Sequence, residues 1–189
     1  MSTIAVRQLR RFTAREYERM VAAGIFVERG RVELLEGEII EMAAMGVAHA
    51  TCLNNFDYLL KRQVPDSYRV NVQVPILLDD SSEPEPDLVV YHRRKRSTHP
   101  TPDEIVLVVE IADRSLDYDW NRKFPRYAAA GIPEAWLFDV FAGVLERHTD
   151  PYAGRYRQVT TARGGETLAS TMLPDVHLAV EAILADDSE

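Results

Sequence analysis

Residues 86–112 read PDLVVYHRRKRSTHPTPDEIVLVVEIA, and the fold turns on the two apolar runs inside them. LVVY (88–91) and IVLVVEI (105–111) are short, rich in β-branched residues and almost uninterrupted, the pattern of strands buried on both faces of a sheet. The intervening RRKRSTHPTPD carries the charges and prolines of a surface loop. In this setting Glu110 stands out, because a carboxylate near the end of a buried strand is costly unless it is paired or metal-bound. Asp87, directly after Pro86, is a second acid at the entrance of the neighbouring run. If the two strands pair, both carboxylates converge at the sheet edge. Such a pair suits a hard, oxygen-preferring ion such as magnesium, which keeps several waters among its ligands. Each acid alone reads more simply as a helix cap or a salt-bridge partner; the pair in its strand context favours the metal.

Working upstream, DDSSEPEPD (79–87) is acidic and proline-rich, which rules out a helix and predicts an extended approach to the first run. Tyr68 to Leu78 reads as extended and broken at Pro75. AHATCLNNFDYLLKRQ (48–63) repeats Leu53, Phe56, Leu59 and Leu60 at helical spacing, and Pro65 ends it. RVELLEGEIIEM (31–42) predicts a β-hairpin turning at Glu36-Gly37. Thr13 and Glu16 have capping-box spacing, so a first helix is expected over AREYERMVAA, stopping at Gly24 and packing as an appendage.

Downstream, ADRSLDYDWNRKFPRYAAAGIPE predicts a loop and then a helix ending near Ala130, with Gly131 at its C-terminus and Pro125 imposing a kink or a late start. EAWLFDV, GVLERH and RYRQVT predict a β-meander, and VHLAVEAILADDSE a strand or short helix with an acidic tail. The pattern is mixed α/β, with a mixed β-sheet flanked by helices, an N-terminal helix and hairpin, and a C-terminal meander. One domain over 1–189 is expected, divided into helix and hairpin (1–45), core (46–140) and C-terminal strands (141–189).

Composition narrows the function classes. No stretch approaches the roughly 18 apolar residues of a membrane span, and the N-terminus is too polar for a secretory signal, so the cytoplasm is expected. The single cysteine, Cys52, has no disulfide partner and reads as a core thiol. The net charge of −8 counts against tight nonspecific binding to nucleic acid. RRKR (93–96) follows the acidic segment closely in sequence, and reads either as a solvated loop or as a small basic patch beside the acids. The histidines, at 49, 92, 99, 148 and 177, lack zinc-ligand spacing. Gly164-Gly165 lacks phosphate-loop spacing, and Ser115 and His148 lack a nucleophile-elbow context. Trp120, Tyr127 and Trp136 fall near the candidate site in sequence, with core packing the plainer role for Trp136.

The ordered series Pro86-Asp87, Val109-Glu110-Ile111, Asp119, Lys123, Tyr127, Ala130-Gly131, Pro133-Glu134 and Trp136 to Asp139 resembles the Uma-two family of restriction endonucleases, a branch of the PD-(D/E)XK nuclease superfamily. Val32-Glu33-Leu34, Gly37-Glu38 and Met42 resemble its N-terminal hairpin, and His49 the histidine opening its core helix, so the resemblance spans roughly residues 10–180. It implies a restriction-endonuclease-like core with a four-stranded mixed sheet. It also implies metal binding (Mg or Mn) by Asp87, Glu110 and the backbone carbonyl of Ile111. Catalysis would involve Asp87, Glu110 and Lys123, with Glu33, His49 and Tyr127 in support. The superfamily pattern places a lysine two residues after the glutamate; Ala112 stands there, which nominates Lys123 on the following helix. The implied activity is DNA phosphodiester hydrolysis leaving 5′-phosphates, with RNA as another possible substrate and a homodimer supplying the two sites of a double-strand cut. The acidic charge and displaced lysine motivate the rival expectation of a nucleic-acid- or protein-binding module with little turnover.

Overall fold

Residues 9–94, 99–113 and 115–185 are described by the structure, a computed structural model. The sequence between residues 9 and 72 forms α1 (Ala14–Ala22), β1 (Val32–Leu35), β2 (Glu38–Glu41), α2 (Val47–Gln63) and β3 (Tyr68–Val72). Then come β4 (Leu88–His92), β5 (Ile105–Ala112), a short α3 (Leu116–Tyr118), one π-helical turn (Asp119–Lys123) and α4 (Phe124–Ala129). The chain closes with β6 (Glu134–Asp139), β7 (Val144–Tyr152), β8 (Arg155–Ala162), β9 (Thr167–Ala169), β10 (His177–Ala179) and α5 (Val180–Leu184).

Local chemistry explains the N-terminal unit. Thr13 Oγ1 accepts from the Glu16 N–H at 3.2 Å while the Glu16 carboxylate accepts from the Thr13 N–H at 3.0 Å, which completes the expected capping box. The hairpin turns on Glu36 and Gly37, both in the left-handed region (φ 54° and 78°), as a two-residue turn requires. Glycine is needed at 37 twice over, because a Cβ there would lie 2.5 Å from that of Arg11. Tyr17 from α1 and Val32 and Leu34 from β1 form a small separate core, and the Tyr17 hydroxyl donates to the Val32 carbonyl at 2.7 Å.

The main sheet is mixed and six-stranded, in the order β3-β4-β5-β6-β7-β8, and is flanked by helices; only β5 and β6 run parallel. It exceeds the expected four-stranded core because the meander pairs onto β6 through its full length, Glu134↔Thr149 to Asp139↔Val144. No break in the sheet therefore falls at residue 140. Alternation sorts the strands onto two cores. Leu88, Val90, Leu107, Val109 and Ile111 face α2 and α5, whereas Val89, Tyr91, Val108 and Ala112 face α4. The β4–β5 register shifts between Val90 and Tyr91, which leaves Val106 as an extra residue, so Val106 and Leu107 face the same side.

Glu134 ties the last segment to this sheet. It is fully buried, accepts from Trp136 Nε1 at 2.6 Å and from the backbone N–H groups of Thr171 and Met172 at 2.8 and 3.2 Å, and also bonds the Thr171 hydroxyl. Glu134→Ala would strand these donors, and is expected to lower the unfolding free energy by about 3 kcal/mol in urea titration; a loss below ~1 kcal/mol would contradict this role. Trp136 and Cys52 are core residues, as read from the sequence.

Candidate active site

Strand parity brings the two acids together. Extending the register Leu88↔Val109 by one residue sets Asp87 directly across from Glu110, and both share the α4-facing side. Like charges in that arrangement repel, so the surroundings must compensate them.

Asp87 is compensated by hydrogen bonds. Its Oδ2 accepts from the Ile111 N–H at 2.8 Å and lies 3.0 Å from His49 Nε2, and its Oδ1 accepts from Gln73 Nε2 at 3.2 Å. Burial alone would raise its pKa, but the His49 hydrogen bond, the positive charges of His49 and Lys123 and the Ile111 N–H outweigh it and hold the carboxyl below its ordinary value. His49 sits in the first turn of α2, which is entered through Gly46 without a side-chain cap. Burial works against its protonation, yet Asp87, Asp113 and Asp119 raise its pKa. Its Nδ1 is buried with no hydrogen-bond partner among the described residues.

Glu110 and Lys123 form a buried ion pair. The Lys123 amine lies 3.0 and 3.1 Å from the two Glu110 oxygens, 3.4 Å from Glu33 Oε2 and 3.4 Å from the Glu85 carbonyl. Tyr127, fully buried, donates its hydroxyl to Glu110 Oε1. Glu33 reaches the site from the hairpin, where it accepts from the Tyr118 hydroxyl at 2.7 Å and the Glu85 N–H at 2.9 Å. Burial pushes the Glu110 carboxyl well up, with Lys123 opposing and Asp119 and Asp87 adding. Burial disfavours the Lys123 cation, but Glu110, Glu33, Asp119 and Asp87 together raise its pKa well above the ordinary value. The surrounding carboxylates thus favour the charged form of the amine.

The π-helical turn explains how a lysine thirteen residues past the glutamate returns to it. The Phe124 N–H bonds back to the Asp119 carbonyl, and the wide turn buries Asp119 and Lys123. Trp120 is carried outward instead: it is 44% exposed and packs on Phe124 and His148, so its expected place near the site does not hold. The same turn adds a residue given no role in the sequence. Asp119 is 3% exposed, accepts from the Ser115 hydroxyl at 2.5 Å, and is pushed up to about 6 by burial. Asp113, Ser115 and Asp119 line one cleft of about 300 Å³ with Asp87, Glu110 and Lys123. The sequence signal for Asp119 was its position four residues before Lys123.

Arg93 and Arg94 lie at the opposite end of β4 from Asp87, roughly 20 Å away at the rise of an extended strand. They form no patch beside the acids; Lys95 and Arg96 lie outside the described residues.

Among the described residues no group of three His, Cys, Asp or Glu side chains stands ready-arranged around a metal position. The donor chemistry nevertheless fits a hard cation: Glu33, Asp87, Glu110 and Asp119 are buried oxygen donors against one lysine, and their mutual repulsion is what a divalent ion relieves.

The mixed sheet flanked by helices is a restriction-endonuclease-like fold, and known proteins agree on that fold. The fold matches a crystal structure described as a putative nuclease belonging to DUF820 from Anabaena variabilis, with a TM-score of 0.71 at 14% identity, over 92% of this chain and 97% of that one. Curated proteins gave no match. The Uma2 family, described as putative restriction endonuclease, matches residues 14–181, and the chain belongs to it.

Proposed function

We propose that this chain is a magnesium- or manganese-dependent endonuclease that hydrolyses DNA phosphodiester bonds at the Asp87–Glu110–Lys123 cleft. The observation that carries the reading is the cross-strand placement of Asp87 and Glu110 with the Lys123 amine 3.0 Å from the latter. Asp87, Glu110 and the Ile111 carbonyl would hold the ion. When bound, it would polarise the scissile phosphate and lower the pKa of a coordinated water.

The chain's own groups do the rest. Lys123, kept protonated by its carboxylate neighbours, sets a fixed positive charge where negative charge builds on the phosphate oxygens. Glu33 and Tyr127 position this pair from opposite sides, the hairpin and α4. His49 holds Asp87 through its Nε2 and brings the start of α2 to the cleft. The net charge of −8 makes the affinity for nonspecific DNA low. In this reading the protein acts in the cytoplasm as one domain, and a homodimer supplies the two sites for cutting both strands.

Purified protein is expected to nick supercoiled plasmid with magnesium or manganese, to leave 5′-phosphate ends and to stop on chelation. Cleavage of an RNA of equal length at a higher rate would move the substrate to RNA. A mobility shift with no cleavage under any divalent ion would replace the enzyme by the binding module that the net charge of −8 also motivates.

A further inference from the structure

A second cavity, of about 530 Å³, opens on the far side of the hairpin, between α1 and the chain around Glu83. Its floor carries a carboxylate that the nuclease reading does not use. Glu83 is 3% exposed because its backbone bridges to Leu34 of β1, with the Glu83 N–H donating to the Leu34 carbonyl at 2.8 Å. Its Oε2 is buried with no hydrogen-bond partner among the described residues, and Oε1 lies 3.6 Å from His99 Nε2, beyond hydrogen-bond range. A buried carboxylate oxygen left in this state is costly until a donor reaches it.

The walls indicate which donor. Val21, Phe26, Val27 and Val32 supply apolar surface, and Tyr17 and Phe26 place two rings 6.0 Å apart beside it. Glu18 and Glu85 also line the cavity, and Arg31 is committed to Glu85 at 2.6 Å. The surplus is negative, and after burial Glu83, Glu85 and Glu33 help push the Tyr17 phenol up to about 12. An ammonium head on a short alkyl stem matches this lining: its N–H groups serve the carboxylate, its stem packs on the valines, and the rings attract its charge. A guanidinium fork binds most strongly when it takes both oxygens of a carboxylate, and Oε1 faces His99.

We propose that this cavity binds a small primary alkylammonium ion, anchored by the Glu83 carboxylate. The site is separate from the nuclease cleft, so its test does not depend on cleavage. Calorimetric titration with n-butylammonium at about pH 8, above the value of about 7 to which burial and Glu18 push Glu83, is expected to show saturable binding. Glu83→Gln, which keeps the side-chain shape, is expected to weaken it at least tenfold. Glu18→Lys, an exposed change that sets a competing charge at the rim, is expected to weaken it about threefold. n-Butylguanidinium is expected to bind at least fivefold more weakly than the ammonium. No saturable binding, or equal affinity in wild type and Glu83→Gln, overturns the proposal; that result would mean that Glu83 is simply a protonated acid. Guanidinium binding as tight as ammonium overturns the choice of ligand.

Discussion

Lys123→Met is expected to lower the unfolding free energy by about 3 kcal/mol and to reduce DNA cleavage roughly 10²–10⁴-fold. The stability loss arises because the substitution removes the cation facing Glu110 and Glu33, two carboxylates that are 2% and 1% exposed. Uptake of a proton by Glu110 limits the loss. The second half of the cycle separates structure from chemistry. Lys123→Met combined with Glu110→Gln removes both charges of the pair, and most of the stability is expected to return while activity stays absent, because a buried pair replaced by neutral groups is often close to neutral in stability. Urea denaturation and plasmid nicking on the same preparations read the two effects. If the double variant were as unstable as Lys123→Met, Glu33 rather than Glu110 would be the main partner of the amine.

Asp87→Ala is expected to abolish detectable binding of magnesium or manganese by calorimetry and to cut cleavage by about 10³-fold or more, the scale on which losing a transition-state electrostatic contact is felt. It also removes the acceptor of the Ile111 N–H and the partner of His49, so a stability loss of about 2 kcal/mol accompanies it. Asp87→Asn keeps the shape and separates the two contributions: binding is still expected to fall while most of the stability stays. Unchanged metal affinity in Asp87→Ala would remove this carboxylate from the site.

How much of this could be read from the chain depended on the range of the interaction. The capping box, the Glu36-Gly37 turn and the strands around LVVY and IVLVVEI are local, and they appear where expected. The meeting of Asp87 and Glu110 follows from period-two alternation once β4 and β5 are known to pair. The helix bearing Lys123 was harder to read, because a π turn departs from the 3.6-residue period. Resemblance could nominate Lys123, but the period could not show that Asp119 turns inward and Trp120 outward. Glu83 was illegible for another reason. In an acidic, proline-rich segment it reads as solvated, and only its bridge to Leu34, far away in sequence, buries it. For RRKR the sequence left a solvated loop and a basic patch beside the acids both open; Arg93 and Arg94 lie at the other end of β4 from Asp87.

The extra residue at Val106 bears on how the chain can vary in length. The register across Leu88, Val89 and Val90 is regular, and the shift lies beyond it, on the side from which the connection between β4 and β5 departs. That connection is also tied to the segment before β4, because the Leu77 N–H donates to the Pro100 carbonyl at 2.9 Å. The pairs beside Asp87 and Glu110 are the regular ones, so a change of length in that connection falls first on the Leu77–Pro100 contact and on the shift.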